Sequence, residues 1–234
     1  MTRITLILSY FIACALFFSG CATAPRTESP ITAASPEVTA SAEPSFLKAS
    51  DMQPFADRTQ WPEMPKSIED APVYNIKSGV DDNGVWTEGK GYFRGSLEKI
   101  YESLIDPKIM GPTYLTKDIV VDKFESTPIQ TTFVMHIKMR YIMSVEFDLG
   151  IVIDTLHGED SQTVGYRYRS SKKSGTKFIT RIDEQIVINE LEGGWFSVEF
   201  RSLNEATMNK EKETRKHIEN LFSHWESWNQ EISE

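Results

Sequence analysis

Apolar and polar residues alternate along most of the chain from residue 114 to residue 201, and this pattern constrains the fold most. Around residue 135, for example, Phe133, Met135 and Tyr141 share one parity, while His136 and Lys138 occupy the other. Period-two alternation over so long a stretch predicts antiparallel strands with one buried face and one solvated face. Turn signals at 157–160, 173–175 and 192–194 divide the stretch, which gives about six strands.

Helical signals flank this run of strands. A strand over 85–94 leads through a Ser96 N-cap into a first short helix, and Asp106-Pro107 ends that helix and starts a second. A long helix is predicted over 205–229, because apolar side chains recur at helical spacing there: Ile218, Leu221, Phe222, Trp225 and Trp228. The fold class is therefore α+β, with about seven antiparallel strands around a long C-terminal helix and two short helices after the first strand.

The order of these elements resembles the START-like superfamily, also called SRPBCC or Bet v 1-like, which has a helix-grip fold. The resemblance covers residues 84–230 and includes the local text Gly95-Ser96-Leu97-Glu98-Lys99-Ile100-Tyr101 with Leu104-Ile105-Asp106-Pro107. It implies a curved sheet around the last helix with a deep apolar cavity between them. The preceding segment, 46–83, is predicted to be irregular because its prolines break long elements. Its aromatic residues are expected to pin it onto the domain: Phe46, Phe55, Trp61 and Tyr74.

The N-terminus carries a different signal. Arg3 precedes an apolar run over 4–18, and Ser19-Gly20-Cys21 follows it. This text resembles the lipobox of bacterial lipoproteins, which implies a signal peptide over 1–20 and a diacylglycerol on Cys21. A transmembrane helix is disfavoured because a bilayer core needs about 20 apolar residues. An ordinary secretory signal remains the alternative, since leucine is usual where this chain has Phe18.

The mature chain would then be anchored to the cell envelope by its lipid. Ala22 after the cysteine favours, by the same resemblance, the outer membrane facing the periplasm. Residues 21–45 are dominated by Ala, Ser, Thr, Pro and Glu and predict a disordered tether. Removal of residues 1–20 leaves 24 basic against 34 acidic residues, so the net charge moves from -9 to -10. This balance argues against a nucleic-acid partner.

Catalytic and metal-binding motifs are not evident in the sequence. The four histidines have no zinc-ligand spacing, and His217 and His224 are interpreted as solvated residues on the flank of the last helix. We therefore predict neither a metal site nor a cofactor. The inward parity of the strands and the apolar helix stripe indicate which residues would line the ligand cavity that the resemblance implies: Phe133, Met135, Tyr141, Phe147, Tyr166, Tyr168, Thr180, Glu184, Phe196 and Trp225.

Two polar residues in this set need a separate interpretation. Thr180 and Glu184 share the parity of Ile182 and Ile186, so both should point inward. A buried carboxylate needs partners or an upward pKa shift, and it could anchor the polar group of a ligand or act as a general acid. The preferred interpretation from sequence is an open end of the sheet where Glu184 is solvated.

Three classes of function follow from these patterns. The first is a lipid-anchored envelope protein whose domain binds a hydrophobic small molecule or lipid. The second is a non-enzymatic interaction module whose cavity is filled by its own side chains, and the third is a cyclase or hydrolase that uses the same cavity. Ligand binding ranks first and the interaction module second, and the enzyme ranks last because no convincing set of acid and base residues supports it.

Overall fold

The computed structural model describes residues 57–67, 69–111, 116–140, 144–206 and 211–231. Cys21, the tether and residues 46–56 of the lead-in lie outside these ranges, as do Tyr141 and the 207–210 connection. The described part contains eight strands and three α-helices, which are, in chain order, β1 (Val73–Asp81), β2 (Gly84–Arg94), α1 (Leu97–Ile105), α2 (Pro107–Met110), β3 (Thr116–Ser126), β4 (Gln130–Arg140), β5 (Ser144–His157), β6 (Thr163–Gly175), β7 (Ile179–Glu190), β8 (Trp195–Ala206) and α3 (Glu211–Glu231).

All eight strands form one antiparallel sheet in the order β1-β2-β8-β7-β6-β5-β4-β3. Helix α3 packs against β2 and β1 on the inner face of the sheet. This is the α+β helix-grip architecture that the alternation and the apolar helix stripe predict. No helix in the described ranges is long and apolar enough to span a bilayer.

Strand β1 corrects the sequence prediction, which treated residues 46–83 as irregular and counted about seven strands. Val73 to Asp81 form an edge strand that pairs with β2 along its whole length, from Val73–Tyr92 to Asp81–Gly84. Tyr74 belongs to this strand, and its ring lies 5.8 Å from the ring of Phe93. It therefore stabilises the core and does not pin a loop.

The described residues around Arg58 and Trp61 lie on the outer face of the sheet, as the sequence predicts for Trp61. The Trp61 ring is 5.3 Å from the ring of Tyr92, and the Arg58 guanidinium lies 4.4 Å from the centre of the Trp86 ring. Lys90, almost fully buried, contacts the carboxylate of Asp57 at 2.6 Å. Burial would lower the pKa of Lys90, but the hydrogen bonds to Asp57 and Glu199 outweigh it and raise that pKa.

The short helices begin where the capping residues predict. The Ser96 side chain accepts a hydrogen bond from the backbone N–H of Lys99, and the Asp106 side chain accepts one from the N–H of Lys108. Pro107 occupies the first turn of α2, where a missing N–H costs nothing. Helix α1 lies against β6 and closes one end of the core.

The hydrophobic core lies between the inner face of the sheet and α3. Helix α3 approaches β2 so closely that a Cβ atom on Gly89 would lie 2.3 Å from Cδ1 of Ile218. A side chain at this position would therefore collide with the helix. The largest fully buried side chains are Trp225, Tyr168, Phe93, Phe133, Phe196, Phe200 and Phe222.

Candidate ligand-binding site

A row of polar side chains crosses the inner face of the sheet. In the strand register, Ser170 on β6 is opposite Glu184 on β7, Glu184 is opposite Ser202 on β8, and Ser202 is opposite Thr87 on β2. Residues opposite one another in a ladder point to the same face. All four are buried, with 0–7% of each residue exposed. We refer to Thr87, Ser170, Glu184 and Ser202 as the polar row.

The first half of α3 lies against this row. Nε2 of His217 is 3.9 Å from Oε1 of Glu184, and both side chains are about nine-tenths buried. The His217 ring also makes an edge contact with Phe200, with ring centres 6.2 Å apart. One turn earlier, the hydroxyl of Thr214 accepts a hydrogen bond from Nδ2 of Asn204 at 3.1 Å. Polar residues of α3 therefore face polar residues of the sheet.

Several buried polar atoms in this region have no hydrogen-bond partner among the described residues. They are Oγ1 of Thr87, Oγ of Ser202, Oη of Tyr168, Oδ1 of Asn204 and Nδ1 of His217. Buried polar groups in proteins are nearly always satisfied, because leaving one unpaired costs about 1–3 kcal/mol. These five atoms lie on facing parts of the sheet and α3.

Electrostatics in the region are dominated by burial. Burial raises the pKa of Tyr168 strongly, and the nearby Glu184 carboxylate raises it further, while the Ser170 hydroxyl opposes the shift. Tyr168 is therefore a neutral phenol that can donate or accept a hydrogen bond. The Ser170 hydroxyl donates to Oε2 of Glu184 at 3.1 Å, which leaves Oε1 facing His217.

The apolar part of the predicted lining is confirmed as buried. Phe133, Met135, Phe147, Phe196 and Trp225 each have at most 3% of their surface exposed and belong to one core cluster with Tyr168. Tyr166 is only partly buried and packs at the edge of this cluster. Its ring centre lies 5.5 Å from that of Tyr101, and burial raises its pKa.

The prediction that Thr180 points inward is wrong. An irregularity in the pairing of β7 with β8 lies between Ile179 and Arg181, and it shifts the alternation by one residue. Ile179 and Ile182 consequently both pack against the core, while Thr180 is exposed and donates its hydroxyl to the carbonyl oxygen of Glu205 at 3.1 Å. Thr180 therefore lies outside the candidate site.

The predictions that Glu184 and His217 are solvated are also wrong. Glu184 is buried rather than wet, because its strand lies in the middle of the sheet and α3 covers it. His217 is buried on the side of α3 that faces the sheet, and not solvated on the flank of the helix. It precedes Leu221 by four residues and Trp225 by eight, so the helical spacing that marked the apolar stripe already included it.

Ser170, Ser202 and Thr87 were missed by the sequence analysis, although a signal existed. Ser202 continues the parity of Phe196 and Phe200, and Ser170 continues that of Tyr168. Small polar residues at inward positions are difficult to recognise from sequence, because they resemble the end of a strand. In the part of the chain that the structure describes, no three His, Cys, Asp or Glu side chains are placed to hold a metal ion.

No protein-family model matches the chain, and no curated protein matches it. Among solved structures, it is similar to a fragment of a STAR-related lipid transfer protein from Xanthomonas axonopodis, with 9% identity over 69% of this chain and 96% of that one and a TM-score of 0.48. A protein from Thermus thermophilus shows 14% identity over 70% and 99% of the two chains, with a TM-score of 0.41. A START superfamily protein from Mycobacterium smegmatis shows 11% identity over 63% and 98%, with a TM-score of 0.40. These distant likenesses add no functional assignment, and the strand order and α3 define the fold.

Proposed function

We propose that this domain binds a hydrophobic small molecule or lipid between the inner face of the sheet and α3. The observation that carries the proposal is the set of unpaired polar atoms around the polar row, next to the apolar core cluster. Binding sites for small molecules combine mostly apolar walls with a few convergent polar groups. This region has both, since Tyr168, Ser202 and His217 lie beside Phe200 and Ile186.

The lipobox-like text at Cys21 supports a cellular setting for this activity. In our proposal, a diacylglycerol on Cys21 anchors the protein to the cell envelope, on the periplasmic side of the outer membrane. The domain would then act within reach of a membrane, from which an apolar ligand could enter or leave. The sequence of residues 1–22 alone supports this part of the proposal.

An interaction module with a filled interior is the second candidate. The complete burial of Met135 and Trp225, together with the ring contacts among Phe93, Phe196 and Phe222, favours this candidate. Aromatic side chains packed at ordinary interior density leave voids smaller than a water molecule. The unpaired atoms at Thr87 and Ser202 argue for a ligand instead, because a filled apolar interior does not explain them.

Native mass spectrometry of the protein purified from its own host tests the proposal. A ligand in the interior should appear as a discrete added mass that is lost on denaturation. Glu184→Gln should weaken retention, because it removes the charge of the carboxylate beside His217. Glu190→Gln is the matched control, since Glu190 lies exposed on the same strand. Absence of any added mass, together with no change in melting temperature across lipids and isoprenoids, would favour the interaction module.

A further inference from the structure

The distance between Glu184 and His217, together with their hydrogen-bonding atoms, restricts which chemical group can bind between them. Oε1 of Glu184 and Nε2 of His217 are 3.9 Å apart, which is too long for a direct hydrogen bond. One oxygen atom about 2.8 Å from each would join them at roughly a right angle. The two atoms are therefore placed to be bridged by a single small group.

When the proton of His217 is on Nε2, the group that fits donates to Glu184 and accepts from His217. Glu184 is an acceptor when ionised, and its other oxygen already accepts a hydrogen bond from Ser170. A His217 ring protonated at Nε2 is a donor on the facing side. A hydroxyl satisfies both atoms, whereas an ammonium cannot accept and a carboxylate cannot donate.

We propose that the ligand's polar head is an alcohol whose hydroxyl bridges Glu184 and His217. This inference rests on the proposed function, and it specifies the class of ligand for the same site. The unpaired hydroxyls of Ser202, Thr87 and Tyr168 would receive further hydroxyl or carbonyl groups of the same head. The ligand class is thus an uncharged amphiphile with an alcohol head and a long apolar body.

The charges nearby make an acidic head the main competitor. Lys172 lies two residues beyond Ser170 on the same face of β6, opposite Leu149, and it is partly buried. Its ammonium would favour a carboxylate, while the Glu184 carboxylate would repel one. Glu184 is closer to the unpaired atoms, because it is opposite both Ser170 and Ser202 in the ladder.

Four probes that share the same apolar chain and differ only in their polar head separate these possibilities. Decanol, decyl methyl ether, decanoate and decylamine are titrated into the mature chain, residues 21–234, produced without residues 1–20 and carrying Cys21→Ala, which removes the proposed acylation site. Decanol should bind about tenfold or more tightly than the ether, which can accept but not donate. Decanoate and decylamine should also bind more weakly than decanol.

Variants test whether the preference for decanol over the ether arises at Glu184 and His217. Glu184→Gln and His217→Phe should each reduce the preference for decanol over the ether, and His217→Phe keeps a ring against Phe200. Glu190→Gln, the exposed control on β7, should leave the preference unchanged. Near-ultraviolet circular dichroism shows whether each variant keeps its aromatic packing, and loss of packing would weaken all four probes equally.

The outcomes distinguish the two proposals. Tightest binding of decanoate or decylamine, or an unchanged preference in both site variants, would overturn the alcohol head while leaving ligand binding intact. Equal binding of decanol and the ether would also overturn the alcohol head while leaving ligand binding intact. It would indicate that a water molecule bridges Glu184 and His217. Failure of all four probes to bind would contradict the proposed function itself.

Discussion

Nε1 of Trp225 on α3 donates a hydrogen bond to Oγ of Ser103 on α1 at 3.0 Å, and both residues are buried. The Ser103 hydroxyl in turn donates to the carbonyl oxygen of Ile100 at 2.7 Å. This chain of hydrogen bonds joins the first helix to the last across 122 residues of sequence. It satisfies the indole N–H at the centre of the core, where an unpaired donor would be costly.

Truncation of Trp225 should therefore be severely destabilising. Trp225→Ala removes a completely buried ring and leaves Ser103 without its donor, so we expect a loss of about 3–5 kcal/mol in the free energy of unfolding. Chemical denaturation measures this loss.

The Ser103→Ala variant should cost about 1–2 kcal/mol in the free energy of unfolding. Ser227→Ala is its control, because the exposed Ser227 hydroxyl makes the same bond to a carbonyl three residues back but receives no indole. Equal effects of the two serine variants would contradict a structural role for the indole contact.

A side chain at Gly89 should destabilise the domain, because α3 packs directly against β2 there. A Cβ atom would lie 2.3 Å from Cδ1 of Ile218 and 2.8 Å from Cζ of Phe222. Gly89→Ala should destabilise the domain by about 1–3 kcal/mol through overpacking. Ile218→Val deletes the closest atom, so the double variant should lose less than the sum of the single losses. Strict additivity in a double-mutant cycle would show that the helix simply moves away.

The alternation of the sequence predicts most of the sheet because one face of each strand is buried and the other is not. Phe133 and Met135 on β4, and Phe196 on β8, lie on the buried face as predicted. The prediction fails at β1, although Tyr74 and Ile76 alternate there with Asn75 and Lys77. The alternation ends at Ser78, and the strand follows a proline-rich segment. As an edge strand with no fully buried residue, β1 carries a weaker pattern than the central strands.

The candidate site was only partly predictable for a different reason. Thr180 was placed inward because a parity argument assumes an unbroken ladder, and the bulge beside Arg181 breaks it. His217 was placed in water because a histidine in an apolar stripe resembles the polar flank of a helix. Its burial depends on Glu184 and Phe200, which approach it only in the folded chain. Contacts of this kind, between residues of different elements, do not appear in the local periodicity of the sequence.

Alkaline titration should reveal the burial of Tyr168. Its pKa is raised above the usual value of 10.0, so the folded protein keeps a proton that the unfolded chain releases. The folding free energy should therefore be unaffected below pH ~10 and should become less favourable as the pH rises further. Ultraviolet difference absorbance should show one tyrosine that ionises only when the protein unfolds, and Tyr168→Phe should remove that late step. Stability near neutral pH should rise in this variant, because it removes a buried hydroxyl that has no hydrogen-bond partner among the described residues. An unchanged late step in Tyr168→Phe would contradict the burial of this phenol.

Processing at Cys21 should decide where the protein resides. If the thiol carries a diacylglycerol, the mature chain partitions into membranes, because acyl chains contribute about 0.8 kcal/mol per buried methylene. Cys21→Ala should block cleavage and acylation, so that the precursor keeps its first 20 residues. Cys14→Ala is the matched control, since Cys14 lies within the apolar run and leaves with the signal peptide. Membrane fractionation and intact-mass measurement of the N-terminus distinguish these forms. Recovery of wild-type protein as a soluble species with a free Cys21 thiol would contradict the anchor and leave an ordinary secretory signal as the explanation of the N-terminal sequence.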